Sequence, residues 1–147
     1  MSRILSLHHV ILSTKHRRPV IVPENEHSLY RFITKFLEHK HCFVHAVNGM
    51  PEHVHVFFDL NPNIALSPTV GELKRESSLW MKQSGLFPEF EGWAVGICGL
   101  AVSFSIKSKV IEYIEQQKPH HFKTTFDDEI QLIYEKNNLR YHPSELM

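Results

Sequence analysis

Two histidines flank a single valine in the stretch "GMPEHVHVFFDL", at His53 and His55. A pair of neutral imidazoles is a ready ligand set for a divalent ion. The spacing alone establishes little, because a chain with 12 histidines in 147 residues supplies roughly one His-x-His pair by chance. His39 and His41 form a second such pair. Two further residues add chemistry. Tyr113 is followed four positions later by Gln117, and residues at i and i+4 share one face of a helix. One helix can therefore present a phenolic and an amide oxygen to the same point, a nucleophile beside a third ligand. Tyr134 with Asn138 is the nearest rival pair, and Tyr30 and Tyr141 have no such partner. Plainer readings stand beside these: strand histidines that are hydrogen-bonded surface groups, and a tyrosine flanking the apolar stripe of Val110, Ile111 and Ile114.

The elements that position these residues follow from periodicity. Arg3–Ser13 is β-branched and bounded by the polar "TKHRRP", which predicts a first strand. Between Glu24 and Lys40, the residues Leu29, Phe32, Ile33, Phe36 and Leu37 recur at helical spacing. Cys42–Asn48 and Glu52–Leu60 read as strands joined by a turn. In the second of these, His53, His55, Phe57 and Asp59 alternate with Val54, Val56, Phe58 and Leu60. The latter set predicts the core face, so the histidines are expected on an opposite, open face. His39 and His41 fall at a helix end, where side chains two apart diverge. Ser67 and Pro68 predict a helix start, as cap and first residue, with an end near Gly85. Trp93–Ser103 reads as a fourth strand. Ser108–Gln117 reads as a helix stopped by Pro119, and Thr125 with Asp128 as the cap of a last helix. The order β-α-β-β-α-β with added C-terminal helices predicts an α+β fold, a ferredoxin-like (RRM-like) antiparallel sheet with helices on one face.

Composition bounds the function. The chain is 42% hydrophobic and 22% charged, a globular composition sized for one domain over residues 1–147. Sixteen basic residues balance sixteen acidic ones, so no global charge attracts a polyanion, and any nucleic-acid contact must rest on local patches. Lys15, His16, Arg17 and Arg18 form the densest such patch. Cys42 and Cys98 fit free thiols in a reducing compartment. No apolar run is long enough to span a bilayer, and the expectation is a cytoplasmic protein.

Taken in order, the motifs carry a resemblance. "HVILSTKHRRPVI", "GMPEHVHVFF", "VGELKRESSLWM" and "VIEYIEQQKPHHFKTTFDDEI" resemble the opening strand and basic turn, the His-hydrophobe-His strand, the second helix and the tyrosine helix of the HUH single-tyrosine transposases. These enzymes belong to small insertion sequences that move as single-stranded DNA, and their REP-associated relatives are similar. The likeness runs from about His8 to Leu139. It implies Tyr113 as nucleophile, His53, His55 and Gln117 as ligands of Mg²⁺ or Mn²⁺, and a 5′-phosphotyrosine intermediate. It also implies DNA contacts at Lys15, Arg17, Arg18, Lys74, Arg75, Lys109, His120 and His121. The implied partners are hairpin-bearing single-stranded DNA and a second copy of the chain, with tyrosine helices exchanged between protomers in some members. The fourth strand departs from the family: "VGICGLAVSFS" lacks the tyrosine usual there. Two rival readings remain, a non-catalytic hairpin-binding protein on the same scaffold and a metal-binding ferredoxin-like domain acting as a small hydrolase.

Overall fold

A computed structural model describes residues 2–142 and 144–147. Its strands are β1 (Leu7–Ser13), β2 (Phe43–Met50), β3 (His53–Asp59) and β4 (Cys98–Val102). The helices are α1 (Glu26–His39), α2 (Leu66–Ser84), α3 (Lys107–Glu115), α4 (Gln117–His120) and α5 (Phe126–Lys136). The strands form one sheet in the order β2-β3-β1-β4, with every neighbouring pair antiparallel. That is the expected α+β architecture.

The alternation of β1 and β3 sorts the interior into two layers. Val10, Leu12, Val54, Val56 and Phe58 face one way and pack with Leu29, Ile33 and Leu37 of α1 and Val70, Leu73 and Met81 of α2. Facing the other way, Leu7 and Phe57 bury Ile114 of α3, while Ile11 and Cys98 meet Phe126, Ile130 and Tyr134 of α5. The sheet is therefore covered on both faces. This corrects the expectation of helices on one side only: the last three helices close the face that alternation left open, because their apolar stripes have nowhere else to be buried.

Local boundaries also differ from expectation, each for a physical reason. β1 starts at Leu7 rather than Arg3, where pairing with β3 and β4 begins. β4 is limited to Cys98–Val102, and upstream only Trp93 keeps a bridge, to Thr14. α2 begins one residue before Ser67 with Ala65 as its cap. Pro68 is thus third in the helix, tolerated because amides of the first turn have no intrahelical acceptor. α3 ends at Glu115 and does not reach Gln117. The ring of Pro119 would clash with the carbonyl four residues earlier, that of Glu115, and the chain breaks there before resuming as α4. Gly85 ends α2 in the left-handed conformation, at φ 75°, and Thr125 accepts from the Asp128 amide at 3.2 Å, both as anticipated.

Gly49 lets β2 and β3 approach. A Cβ there would overlap the His53 carbonyl oxygen and stand 2.8 Å from Val54 Cα, both backbone. Gly49→Ala is expected to cost about 2–3 kcal/mol in urea unfolding, whereas Gly71→Ala, on the open side of α2 with nothing within 4 Å, should add about 0.5–1 kcal/mol. Equal effects of the two would refute this account of the hairpin.

Burial, with the Glu145 charge adding to it, pushes the Cys98 thiol up to about 11, and burial raises the Cys42 thiol as well. Thiolate is the reactive form. Iodoacetamide at pH 8 should therefore leave both thiols unmodified in the native protein and label both in denaturant, read by mass spectrometry.

Candidate active site

The register of β1 against β3 places Ile11 opposite His55 and Ser13 opposite His53. Both histidines lie on the face that α3, α4 and α5 cover, and both are fully buried. The expected open face does not exist: Phe126 of α5 stacks on the His53 ring, with centroids 3.9 Å apart and planes 7° apart.

Each histidine is oriented through Nδ1. Glu52 Oε1 lies 2.8 Å from His53 Nδ1, and His9 Nε2 lies 2.7 Å from His55 Nδ1. Burial, reinforced by His55, drives His9 down to about 3, and burial holds His55 near 4, so both rings are neutral. In the tautomer in which His55 donates from Nδ1 to His9, its Nε2 presents a lone pair inward. That atom is buried without a hydrogen-bond partner. A ring tied at one nitrogen and free at the other is the arrangement that metal-binding histidines adopt.

Opposite these rings stands Glu129, a residue the sequence reading did not single out. It is 2% exposed, and its Oε1 lies 3.3 Å from His53 Nε2, 3.5 Å from His55 Nε2 and 3.0 Å from His121 Nε2. Its Oε2 accepts from the Tyr113 hydroxyl and from Gln117 Nε2 at 2.8 Å. Gln117 turns its other amide atom, Oε1, to His53 Nε2 at 2.9 Å and His121 Nε2 at 3.1 Å. Tyr113, Gln117, His53 and His55 therefore converge on one carboxylate, all within one chain. The break after Glu115 does not separate Tyr113 from Gln117. Asn48 Nδ2 donates to the carbonyls of Ile114 at 3.0 Å and Glu115 at 3.3 Å, and Lys118 Nζ bridges to Glu26 at 3.1 Å. Both contacts pin the junction of α3 and α4 to the core.

The electrostatics follow from this packing. Burial alone would push the Glu129 carboxyl up. The hydrogen bond from His121 and the nearby His53 ring outweigh it and hold the carboxyl well below the usual range. Burial lowers His53 on its own, but Glu129 and Glu52 outweigh it and raise the ring above its ordinary value. For Tyr113, burial, the Glu129 charge and the hydrogen bond to Glu129 all act upward, and the phenol is firmly protonated. Two imidazole nitrogens, a carboxylate oxygen and an amide oxygen suit a divalent cation. One ring nitrogen each of His53 and His55 and a carboxylate oxygen of Glu129 lie within 4.8 Å of one another, and the orphaned His55 Nε2 is the atom such an ion would satisfy. The donor set fits a metal.

The residues expected to touch DNA divide into three groups. Lys15, Arg75 and Lys109 are exposed. Arg17, Arg18 and Lys74 are occupied within the chain. Arg17 bonds Asp127 at 2.8 Å, Tyr141 at 2.7 Å and the Glu145 carbonyl at 2.9 Å. Arg18 pairs with Glu91 at 2.6 Å, and Lys74 donates to the carbonyls of Ala94 at 2.6 Å and Val95 at 2.7 Å. His120 and His121 turn inward onto Glu129. A sequence signal for Glu129 did exist. It falls with Phe126, Ile130 and Tyr134 on one face of α5, an acid on an apolar stripe.

The comparisons bear on the family and the fold. Residues 4–117 match the family described as Transposase IS200 like. A Deinococcus radiodurans R1 protein assigned as a transposase is similar at 26% identity and TM-score 0.63, over 79% of this chain and 93% of its own. A REP-associated tyrosine transposase bound to a REP hairpin shares the fold at 17% identity and TM-score 0.61, over 82% of this chain and 73% of its own. No functionally curated protein matches the sequence. The family match spans most of the chain and takes in both the paired histidines and the Tyr113–Gln117 segment, and the chain belongs to the IS200-like transposase family.

Proposed function

We propose that this chain cleaves and rejoins single-stranded DNA at hairpin-bearing element ends, with Tyr113 as nucleophile. The observation that carries this reading is the meeting of the Tyr113 hydroxyl, the paired imidazoles and Gln117 on Glu129, in a chain of transposase family. In the reaction, the Tyr113 phenolic oxygen forms a bond to phosphorus and the phosphorus–O3′ bond breaks. The phenol proton ends on the departing 3′ oxygen, leaving a 5′-phosphotyrosine and a free 3′-OH. A second 3′-OH can then attack the phosphotyrosine and restore the tyrosine, so no ATP is needed.

His53, His55 and Gln117, joined by Glu129, would hold Mg²⁺ or Mn²⁺. Bound there, the cation supplies Lewis-acid polarisation of the phosphodiester and charge stabilisation in the transition state. The chain's own residues do the rest. His9 and Glu52 fix the two rings, and the wall formed by Phe126 and Ile114 excludes water. Burial and the Glu129 carboxylate together hold the proton on Tyr113, and a cation sharing that carboxylate would weaken the second of these. Of the basic residues expected at DNA, Lys15, Arg75 and Lys109 are exposed and available for tracking phosphates. Arg17, Arg18, Lys74, His120 and His121 would contribute to DNA binding only after leaving their present partners. The hairpin in the REP-associated relative's structure supports a structured single strand as substrate. No helix among the described residues is long and apolar enough to cross a membrane, and an enzyme acting on cellular DNA works in the cytoplasm. A second copy is not needed to complete this site, so a homodimer on this reading would serve to hold two DNA ends. The held phenol proton favours one alternative, a hairpin-binding protein that does not cut.

Incubation with 5′- or 3′-labelled hairpin single-stranded DNA and Mg²⁺ or Mn²⁺ should yield a covalent adduct on a denaturing gel. Tyr113→Phe should abolish it while binding persists. Binding without an adduct in the native chain supports the alternative, and absence of binding to any hairpin refutes both. His55→Asn should lower adduct formation by at least about 100-fold, and EDTA should do the same to the native protein. An adduct that forms equally well in EDTA would remove the metal from the reading.

A further inference from the structure

We propose that His120, His121 and Glu129 form a second divalent-cation site, sharing the Glu129 carboxylate with the His53/His55 centre. The proposal rests on the reading of that centre as a metal site.

His120 and His121 stand where α4 ends, their ring centroids 5.0 Å apart. Consecutive side chains on a regular helix point apart, yet the chain leaves α4 here and both rings reach one carboxylate. His121 Nε2 lies 3.0 Å from Glu129 Oε1 and His120 Nε2 lies 3.6 Å from Oε2. The three donor atoms fall within 4.8 Å of one another, as do those of His53, His55 and Glu129, and only Glu129 belongs to both sets.

The imbalance between donors and acceptors is what calls for a cation. Four imidazoles surround a single carboxylate. His55 Nε2 and His120 Nε2 are both buried without a hydrogen-bond partner, one in each set. A buried polar atom left unpaired is costly, and one cation at the His53/His55 centre leaves His120 Nε2 unpaired still. A second cation satisfies it, and a carboxylate has two oxygens with which to serve two ions. Two imidazoles and a carboxylate favour a borderline cation such as Zn²⁺ over Mg²⁺. The site lies on the nucleophile's side: Tyr113 donates to the same Oε2 that His120 faces, and the two rings are 5.6 Å apart.

Protein stripped of metal, reloaded with Zn²⁺ and desalted should carry two equivalents by elemental mass spectrometry. His120→Asn/His121→Asn should carry one, and so should His53→Asn/His55→Asn. Loaded with Mn²⁺, the native protein should give a weakened six-line EPR signal for its manganese content, because ions sharing a carboxylate couple magnetically, and the His120/His121 variant should recover the full signal per ion. One equivalent in the native protein overturns the second site. If the His53/His55 variant then carries none, the first centre and the proposed function stand. No metal in the native protein sinks both. Circular dichroism checks the fold of each variant, and His120→Ala alone, at the rim of the cluster, serves if the double variant misfolds.

Discussion

A carboxylate buried among imidazoles is the constraint around which this molecule is arranged. An ionised acid taken out of water is costly unless it is paired and hydrogen-bonded. Glu129 is paired from four directions, by residues of β3, α3, α4 and the turn that follows α4. Its neighbours would each be costly without it. His53 would lose the charge that offsets its burial, Gln117 and Tyr113 would lose their acceptor, and α5 would set an unpaired acid against the sheet. Apolar packing alone would dock α5, since full burial of side chains such as Phe126 and Ile130 stabilises by about 1.5–3 kcal/mol each. The polar cluster sets the register in which it docks.

The two faces of the sheet divide the labour. On one, α1 and α2 bury aliphatic and aromatic side chains with few polar groups, which gives a stiff platform. On the other, the apolar contacts fall into two smaller clusters with the histidines and Glu129 between them. Alternation along β3 couples the halves, because the valines that anchor the platform fix the direction in which His53 and His55 point. A slip of one residue in β3 would send the imidazoles into the aliphatic core. Gly49 opposes such a slip by allowing the neighbouring backbone close enough to hold the register.

Much of this was legible in the sequence. Period-two and period-3.6 patterns gave the strands, the helices and the shared face of His53 and His55, and the resemblance of ordered motifs gave the family and the candidate nucleophile. Three things were not legible. Nothing in "HVHVFF" shows that a helix seventy residues later covers the histidines, because alternation gives the sides of a strand and not what lies on them. Glu129 sits in the acidic run Asp127, Asp128, Glu129, where a first-turn acid has a ready role at the helix N-terminus, and only its place on the apolar stripe marked it out. Arg17 and Lys74 read as free cations because their acceptors are mostly backbone carbonyls and distant side chains, which no sequence pattern displays. Pro119 was seen as a helix stop, but its effect reaches back four residues, so the break falls before Gln117.

That Glu129 arrives on the last helix bears on synthesis. As the chain leaves the ribosome, everything needed for the aliphatic platform is present well before residue 126 is made, and that layer can form while the later residues are still being added. The paired imidazoles are then in place on the sheet, but the group that draws them together with Tyr113 and Gln117 is missing. The centre is completed only when α5 comes down, so a product ended before residue 126 would lack Glu129 and with it the assembled cluster. On the proposed reading of the chain as a DNA-cutting enzyme, the final step of folding doubles as the final step of arming.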